Sequence, residues 1–202
     1  MKKLYMNIAD VYIKGNPLQL AEVITAMDES LQNVCQATEN ITNLVTRYSA
    51  SNKGSQYEKM TSALIRLRDE IYEASLQLNE IQNQIVEYQN KVLRYEGLSE
   101  SASLPNKHTV NRASINVDSA KVLFQLSEMI EVSNGLNSYS ELVFHNMKNI
   151  VQGKNDIAAI WQDTQYNDFA EFIDELFMNT LEALKVFGEY VTYLDQKIKE
   201  LS

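Results

Sequence analysis

Cysteine is almost missing from this chain: the one thiol, Cys35, excludes an internal disulfide and a cysteine-built zinc site. Basic charge is also scarce, with 18 Lys+Arg against 27 Asp+Glu and a net charge of −9. No basic run stands on any face, so the electrostatic footprint of a nucleic-acid or anionic-lipid binder is missing. No stretch approaches the roughly 18 uninterrupted apolar residues of a membrane span. The opening MKKLYMNIADVYIKG has its apolar run cut by Asn7 and Asp10, so neither a transmembrane helix nor an ordinary signal peptide is expected. Synthesis in the cytoplasm follows from that reading. What is present is 45% hydrophobic residues over 202 positions, enough for one sizeable core or two small ones.

With two prolines and six glycines in all, each one marks a boundary. Asn16-Pro17 reads as an N-cap followed by proline at the first helical position. Leu20, Ile24, Met27, Leu31, Val34, Thr38, Ile41, Val45 and Tyr48 then alternate in steps of four and three, a heptad seam interrupted only by Thr38. Gly54-Ser55 opens a second run, with Ser55 and Glu58 spaced as a capping box. Its seam is Tyr57, Met60, Leu64, Leu67, Ile71, Ala74, Leu78, Ile81, Ile85, Tyr88, Val92 and Tyr95, a helix of ~58 Å. So long a helix with one apolar stripe needs a partner alongside, and the first run is the nearest.

Residues 97–113 lose the period and gather Gly, Ser, Pro and Asn, the composition of a linker. A third helix carries Val122, Leu123, Leu126, Met129, Ile130, Leu136, Val143, Phe144, Met147, Ile150 and Val151; Gly135 and several serines weaken it. After Gly153 comes the stretch IWQDTQYNDF, and then a fourth helix on Tyr166, Phe169, Ile173, Leu176, Thr180, Leu184, Phe187, Val191, Leu194, Ile198 and Leu201. The expected fold is all-α: two long antiparallel helical hairpins, 16–96 and 114–202, forming an elongated four-helix bundle. Residues 1–15 form an N-terminal arm with no assigned role. A 17-residue linker reaches at most ~55 Å, which makes an antiparallel arrangement of the two hairpins stretched and leaves their mutual orientation open.

The two turns match each other. Asn52-Lys-Gly-Ser-Gln-Tyr57 set against Trp161-Gln-Asp-Thr-Gln-Tyr166 gives an offset of 109 residues, with Gln and Tyr coinciding, Ser matching Thr, and Met60 matching Phe169. In this the chain resembles the small WxG (Esx) proteins of type VII secretion, helical hairpins of about this half-length with Trp-x-Gly at the turn. It is also similar to the longer helical targeting domains of type VII toxins. The second turn keeps Trp161 but has Asp163 in the glycine place; the first keeps Gly54 but has Asn52 in the tryptophan place. The family's Tyr-x-x-x-Asp/Glu export signal does not occur; Tyr193, for example, meets Lys197 four residues on. The resemblance implies secretion without a cleaved signal peptide, and pairing with a helical protein, whether a toxin, a secretion component or a second copy.

The candidate turn and recognition residues are therefore Trp161, Asp163, Tyr166, Phe169, Gly54 and Tyr57. Two readings of Trp161 stand side by side: an aromatic anchor for a partner, or a ring packed over the open end of its own hairpin. Asp163 or Thr164 reads most simply as the cap of the fourth helix. No catalytic constellation is expected. Glu141 and His145 lie i, i+4, and Glu171, Asp174 and Glu175 share a helix, but a bundle metal site needs Glu-x-x-His pairs on two helices. The other histidine, His108, is in the linker, so these carboxylates read as a solvated face. Cys35 follows Val34 on the seam and reads as a small, semi-buried apolar residue, and the tyrosines as seam residues with their hydroxyls at the rim. No cofactor, metal, nucleic acid or small-molecule substrate is expected. The expectation is thus a non-enzymatic protein of the type VII class, exported itself or escorting a toxin. The alternative is a structural or pore-forming bundle of another lineage, which leakage of liposomes by the purified protein would support.

Overall fold

A computed structural model describes residues 17–49, 54–95, 97, 125–161 and 164–202. They form four helices: α1 (Pro17–Arg47), α2 (Ser55–Tyr95), α3 (Leu126–Ile157) and α4 (Thr164–Leu201). The expected all-α four-helix bundle is what the chain adopts. Helix α1 packs on α2 and α3, and α4 packs on α2 and α3, while the diagonal pairs do not meet. The order around the bundle is therefore α1, α2, α4, α3.

Residue pairings set the directions. Met27 lies against Gly153 and Leu44 against Gly135, so α1 and α3 run antiparallel. Tyr57 packs on Tyr190, and Arg66 shares a groove with Glu182, so α2 and α4 do too. The two hairpins are thus head to tail, with their turns at opposite ends of the bundle. This is the arrangement that a 17-residue linker made stretched. Between Tyr95 and Leu126 stand residues 96–125, of which only 97 and 125 are described. The arm at 1–15, most of the linker, and the seam positions Val122 and Leu123 lie outside the described residues.

The seams of α1 and most of α2 were legible, but Leu126, Ile130 and Phe144, read as apolar positions of the third helix, and Leu201 of the fourth, are exposed. Leu20, Ile24, Met27, Leu31, Val34, Ile41 and Val45 of α1 are buried against Tyr57 to Ile85 of α2 and their counterparts on α3 and α4. Removing such stripes from water, at about 25 cal/mol per Å², is what holds helices that are polar on their other faces. The α2 seam, however, ends at Ile85: Tyr88 and Val92 are half-buried and Tyr95 is 94% exposed. By the pairing of α2 with α1, Pro17 stands level with about Ile85, so the last turns of α2 run past the end of α1.

Three boundary residues behave differently from their sequence reading. The Glu58 amide donates to the Gly54 carbonyl at 3.0 Å, so Gly54, at φ 110°, occupies the N-cap and Ser55 is already helical. That φ lies in the left-handed region, where glycine has no Cβ penalty. Gly135 does not weaken α3: a Cβ there would stand 2.4 Å from Leu44 Cδ2. Gly153 does not end α3, which continues to Ile157, and a Cβ there would stand 2.4 Å from Met27 Cγ. The two glycines are 18 residues, or about five turns, apart and so share the face on which α1 makes its closest approach.

Two polar pairs link the hairpins across the α1–α3 seam, while the buried Thr42 hydroxyl and Gln82 side-chain amide have no hydrogen-bond partner among the described residues. Thr38 Oγ1 donates to the Val34 carbonyl at 2.7 Å; its one proton being used, it accepts from the Tyr139 hydroxyl at 2.9 Å. The interruption of the α1 seam is therefore a built partner for a buried tyrosine, whose hydroxyl burial holds well above the ordinary phenol range. Asn33 Nδ2 donates to Asn146 Oδ1 at 3.2 Å on the same seam.

Cys35 is more deeply placed than expected, at 4% exposure. Burial, and secondarily the Asp28 carboxylate, push its thiol from 9.0 up to about 12. Folding thus favours the neutral thiol, a contribution fully present below pH 9 and lost as pH rises toward 12. The expected result is that Cys35 resists a thiol reagent at pH 8 until urea unfolds the chain; rapid modification without denaturant would contradict the placement. In denaturant titrations from pH 9 to 11, stability should fall as pH rises, with this group contributing on the order of 1 kcal/mol per pH unit.

Candidate functional site: the two hairpin turns

The two turns are built on one plan. Helices α1 and α3 start 109 residues apart, at 17 and 126, and α2 and α4 also start 109 apart, at 55 and 164. Buried Leu20, Met27, Val34 and Ile41 correspond by that offset to buried Met129, Leu136, Val143 and Ile150. Met60, Leu64, Leu67, Ala74, Leu78 and Ile85 correspond in the same way to Phe169, Ile173, Leu176, Ala183, Phe187 and Leu194.

The matched tyrosines make the same bond. Tyr57 Oη donates to the Val45 carbonyl at 3.3 Å, and Tyr166 Oη donates to the Lys154 carbonyl at 3.2 Å. In each case the acceptor lies 12 residues back, on the last turns of the preceding helix, where carbonyls no longer all have helical partners. The bond pins the start of the second helix to the end of the first. Burial lifts the Tyr57 phenol to about 12, so it remains a donor at any physiological pH.

Around this shared frame the turns differ. After α1, the Tyr48 amide donates to the Leu44 carbonyl at 3.3 Å and that of Ser49 to Thr46 at 3.2 Å; the chain is next described at Gly54. Asn52 lies outside the described residues. After α3, the amides of Ile160 and Trp161 both donate to the Ile157 carbonyl, at 3.0 and 2.8 Å, which folds the tryptophan back over the helix end. Its ring stacks on Phe169 with centroids 5.5 Å apart and meets the edge of Tyr166 at 6.1 Å. Trp161 is 0% exposed. Phe169 is also fully buried, Tyr166 half-buried, and Asp163 lies outside the described residues. Of the six candidate residues, Trp161, Tyr166 and Phe169 thus come together at one end of the bundle. Gly54 and Tyr57 lie at the other, where Tyr57 packs on Tyr190 at 6.2 Å.

Sequence reasoning missed Lys154. Its side chain is largely buried beside the tryptophan turn, with Nζ 2.5 Å from Asp174 Oδ1, and its carbonyl receives Tyr166. The signal was available: adding 109 to the seam residue Val45 gives 154. Ile157 and Ile160, buried in the same turn, were also missed, because an end-of-helix stretch carries no period to read.

Chemically, the described residues at either turn supply packing and hydrogen bonds. Among the described residues, no group of three or more His, Cys, Asp and Glu is placed to hold a metal ion. The Tyr bonds are directly testable. Tyr57→Phe and Tyr166→Phe should each cost ~0.5–1.5 kcal/mol in urea unfolding. Being at opposite ends of the molecule, they should add within about 0.5 kcal/mol in the double variant. A cost at one tyrosine only would break the structural equivalence of the turns.

Comparison with known protein families, with characterised proteins and with solved structures finds no match for this chain.

Proposed function

We propose that the chain is a non-enzymatic protein of the type VII secretion class, acting by helix-to-helix pairing as an exported substrate or as the escort of a toxin. The observation that carries this reading is the doubled hairpin with matched turn tyrosines, one turn retaining the tryptophan and the other the glycine of a Trp-x-Gly pattern. A single hairpin leaves half of each apolar stripe uncovered, and joining two on one chain covers them within one molecule. A partner would then be met by the outer helix faces. With its ring fully buried, Trp161 acts on recognition by holding the turn in shape, and direct contact with the ring would require the turn to open. Among the described residues, no helix is long and apolar enough to cross a membrane, so no observation favours the pore-forming alternative.

The deciding experiment is deletion of the membrane ATPase of the type VII system in the source organism, with the culture medium assayed for this protein and for co-purifying toxins. Loss of the protein from the medium supports a substrate, and loss of a bound toxin alone supports an escort. Export that continues unchanged for both ends the proposal.

A further inference from the structure

The two hairpins share their inner seams but not their outer grooves. The pairing of α3 with α4 is fixed by the Ser133 hydroxyl, which donates to Asp195 Oδ1 at 2.9 Å, and by Lys154 on Asp174. In the register of those two pairs Phe144 stands level with Leu184. Phe144 lies eleven residues after Ser133 and Leu184 eleven before Asp195, about three turns in each case, so both occupy the faces that this hydrogen bond joins. Phe177 and Leu181, seven and three residues before Leu184, continue that stripe along α4. Phe144 is 43% exposed and Met178, beside Phe177, is 57% exposed; Phe177, Leu181 and Leu184 are half-buried. By the 109-residue offset the first hairpin holds Cys35, Arg68, Tyr72 and Ser75 at the places of Phe144, Phe177, Leu181 and Leu184. All of these but Tyr72 are buried. The second hairpin therefore carries an apolar strip at its surface where the first is polar and covered, and it is the contiguity of such a strip that marks a binding face.

Two lysines border the strip. Lys148, one turn after Phe144, has its Nζ 5.6 Å from the centroid of that ring, and Lys185, next to Leu184, is exposed on the facing helix. Among the described residues neither lysine is in an ion pair, since Asp174 is held by Lys154 and Glu189 by Lys59. Glu141, one turn before Phe144, brings a carboxylate to the same edge. At contact range, inside a screening length of about 8 Å, two lysines against one glutamate make this rim positive although the chain sums to −9. A second copy fits poorly, because a two-fold contact over the strip would set Lys148 and Lys185 against the same two lysines. The occupant that fits carries carboxylates. From Phe177 to Leu184 the strip runs ~10 Å, two helical turns, which is the span of anchors at i, i+4 and i+7 on one amphipathic helix.

We propose that the outer α3–α4 groove is the docking surface for one amphipathic helix of a different protein. Its apolar stripe seats on Phe144, Leu181 and Leu184, and the Asp or Glu residues flanking that stripe pair with Lys148 and Lys185. This rests on the helix-to-helix pairing proposed for the chain and names the face that makes it, without depending on export. A contact this short belongs to the weak, transient class, and its selectivity comes from the charged rim.

Two stapled synthetic helices with the same leucine stripe, one bordered by Glu and the other by Lys, test the surface by fluorescence anisotropy against the full chain. The Glu-bordered helix should bind about tenfold more tightly, with the gap closing in high salt. Phe144→Asp and Leu181→Asp should each weaken that binding by about tenfold or more. Lys148→Glu combined with Lys185→Glu should reverse the preference; both lysines are exposed, so this variant decides the matter if an aspartate variant loses its helicity. Leu142→Asp, at a leucine 39% exposed on the α1–α3 groove, should leave binding unchanged. Absence of binding by the Glu-bordered helix, a preference that survives charge reversal, or an equal loss in Leu142→Asp overturns the proposal. So does self-association in light scattering that Phe144→Asp abolishes, which would give the strip to a second copy. Binding to phosphatidylglycerol vesicles lost in the same variant would give it to a membrane and overturns the proposal too. Export that depends on the ATPase without peptide binding strikes this groove alone, and peptide binding without such export strikes the secretion reading alone.

Discussion

Trp161→Ala is expected to lower the unfolding free energy by about 3–5 kcal/mol, the range for removing a large buried aromatic. The loss combines the transfer term of the ring with the cavity it leaves between Phe169 and Tyr166, whose stacked and edge-on contacts go with it. The turn backbone is fixed independently by the amides of Ile160 and Trp161 on Ile157, so the helices should remain and the cooperative transition should shift. Trp161→Phe keeps a ring on Phe169 and should cost less, roughly 1–2 kcal/mol. Urea unfolding followed by circular dichroism reads both. A change below ~1 kcal/mol for the alanine variant would show that the ring is not the packed element described. With a partner in hand, the same pair separates the two readings of the residue. Affinity lost in proportion to stability points to shape-holding, and affinity lost in Trp161→Phe at near-normal stability points to contact.

The second large effect is expected at a residue with no side chain. Gly153→Val should destabilise by about 3 kcal/mol, the upper part of the range for overpacking a filled core. The added Cβ alone meets Met27 at 2.4 Å and 2.8 Å from Cγ and Sδ, with Val23 at 3.5 Å beyond. Met27 is itself buried, so it cannot simply swing away. Gly188→Ala supplies the contrast: that position is helical, exposed and has nothing within 4 Å of an added Cβ. It should gain ~0.5–1 kcal/mol from helix propensity alone. Thermal melts of the two variants should move in opposite directions. Equal shifts would mean that α1 and α3 are not as close as described.

How much of this could be read from the sequence depends on what periodicity reports. A stripe at steps of three and four says which face of a helix will be buried, so Leu20 to Val45 and Tyr57 to Ile85 were placed correctly. It says nothing about what will stand opposite. Thr38 was legible as a flaw in a seam but not as the acceptor for Tyr139, 101 residues away. Gly135 looked like a weak point because glycine is a poor helix former, and Gly153 like the end of the helix; only the approach of α1 shows why both sit inside α3. Tyr95 continues the α2 seam in sequence and yet is exposed, since a stripe does not record where its neighbour stops. At the candidate site, the 109-residue offset located both turns and their tyrosines. That the Trp161 ring is fully enclosed could not be foreseen, because residues 158–163 carry no period.

The alternation of direction around the bundle has an electrical consequence. Every adjacent pair of helices, α1–α2, α2–α4, α4–α3 and α3–α1, is antiparallel, so the peptide dipoles oppose one another and their far fields largely cancel. Each end of the molecule presents two helix starts and two helix ends, and neither end acts as a positive or negative pole. The field that an approaching molecule meets is therefore set by side-chain charge, which sums to −9 over the chain. Attraction of a cationic partner would fade beyond a screening length of about 8 Å in physiological salt.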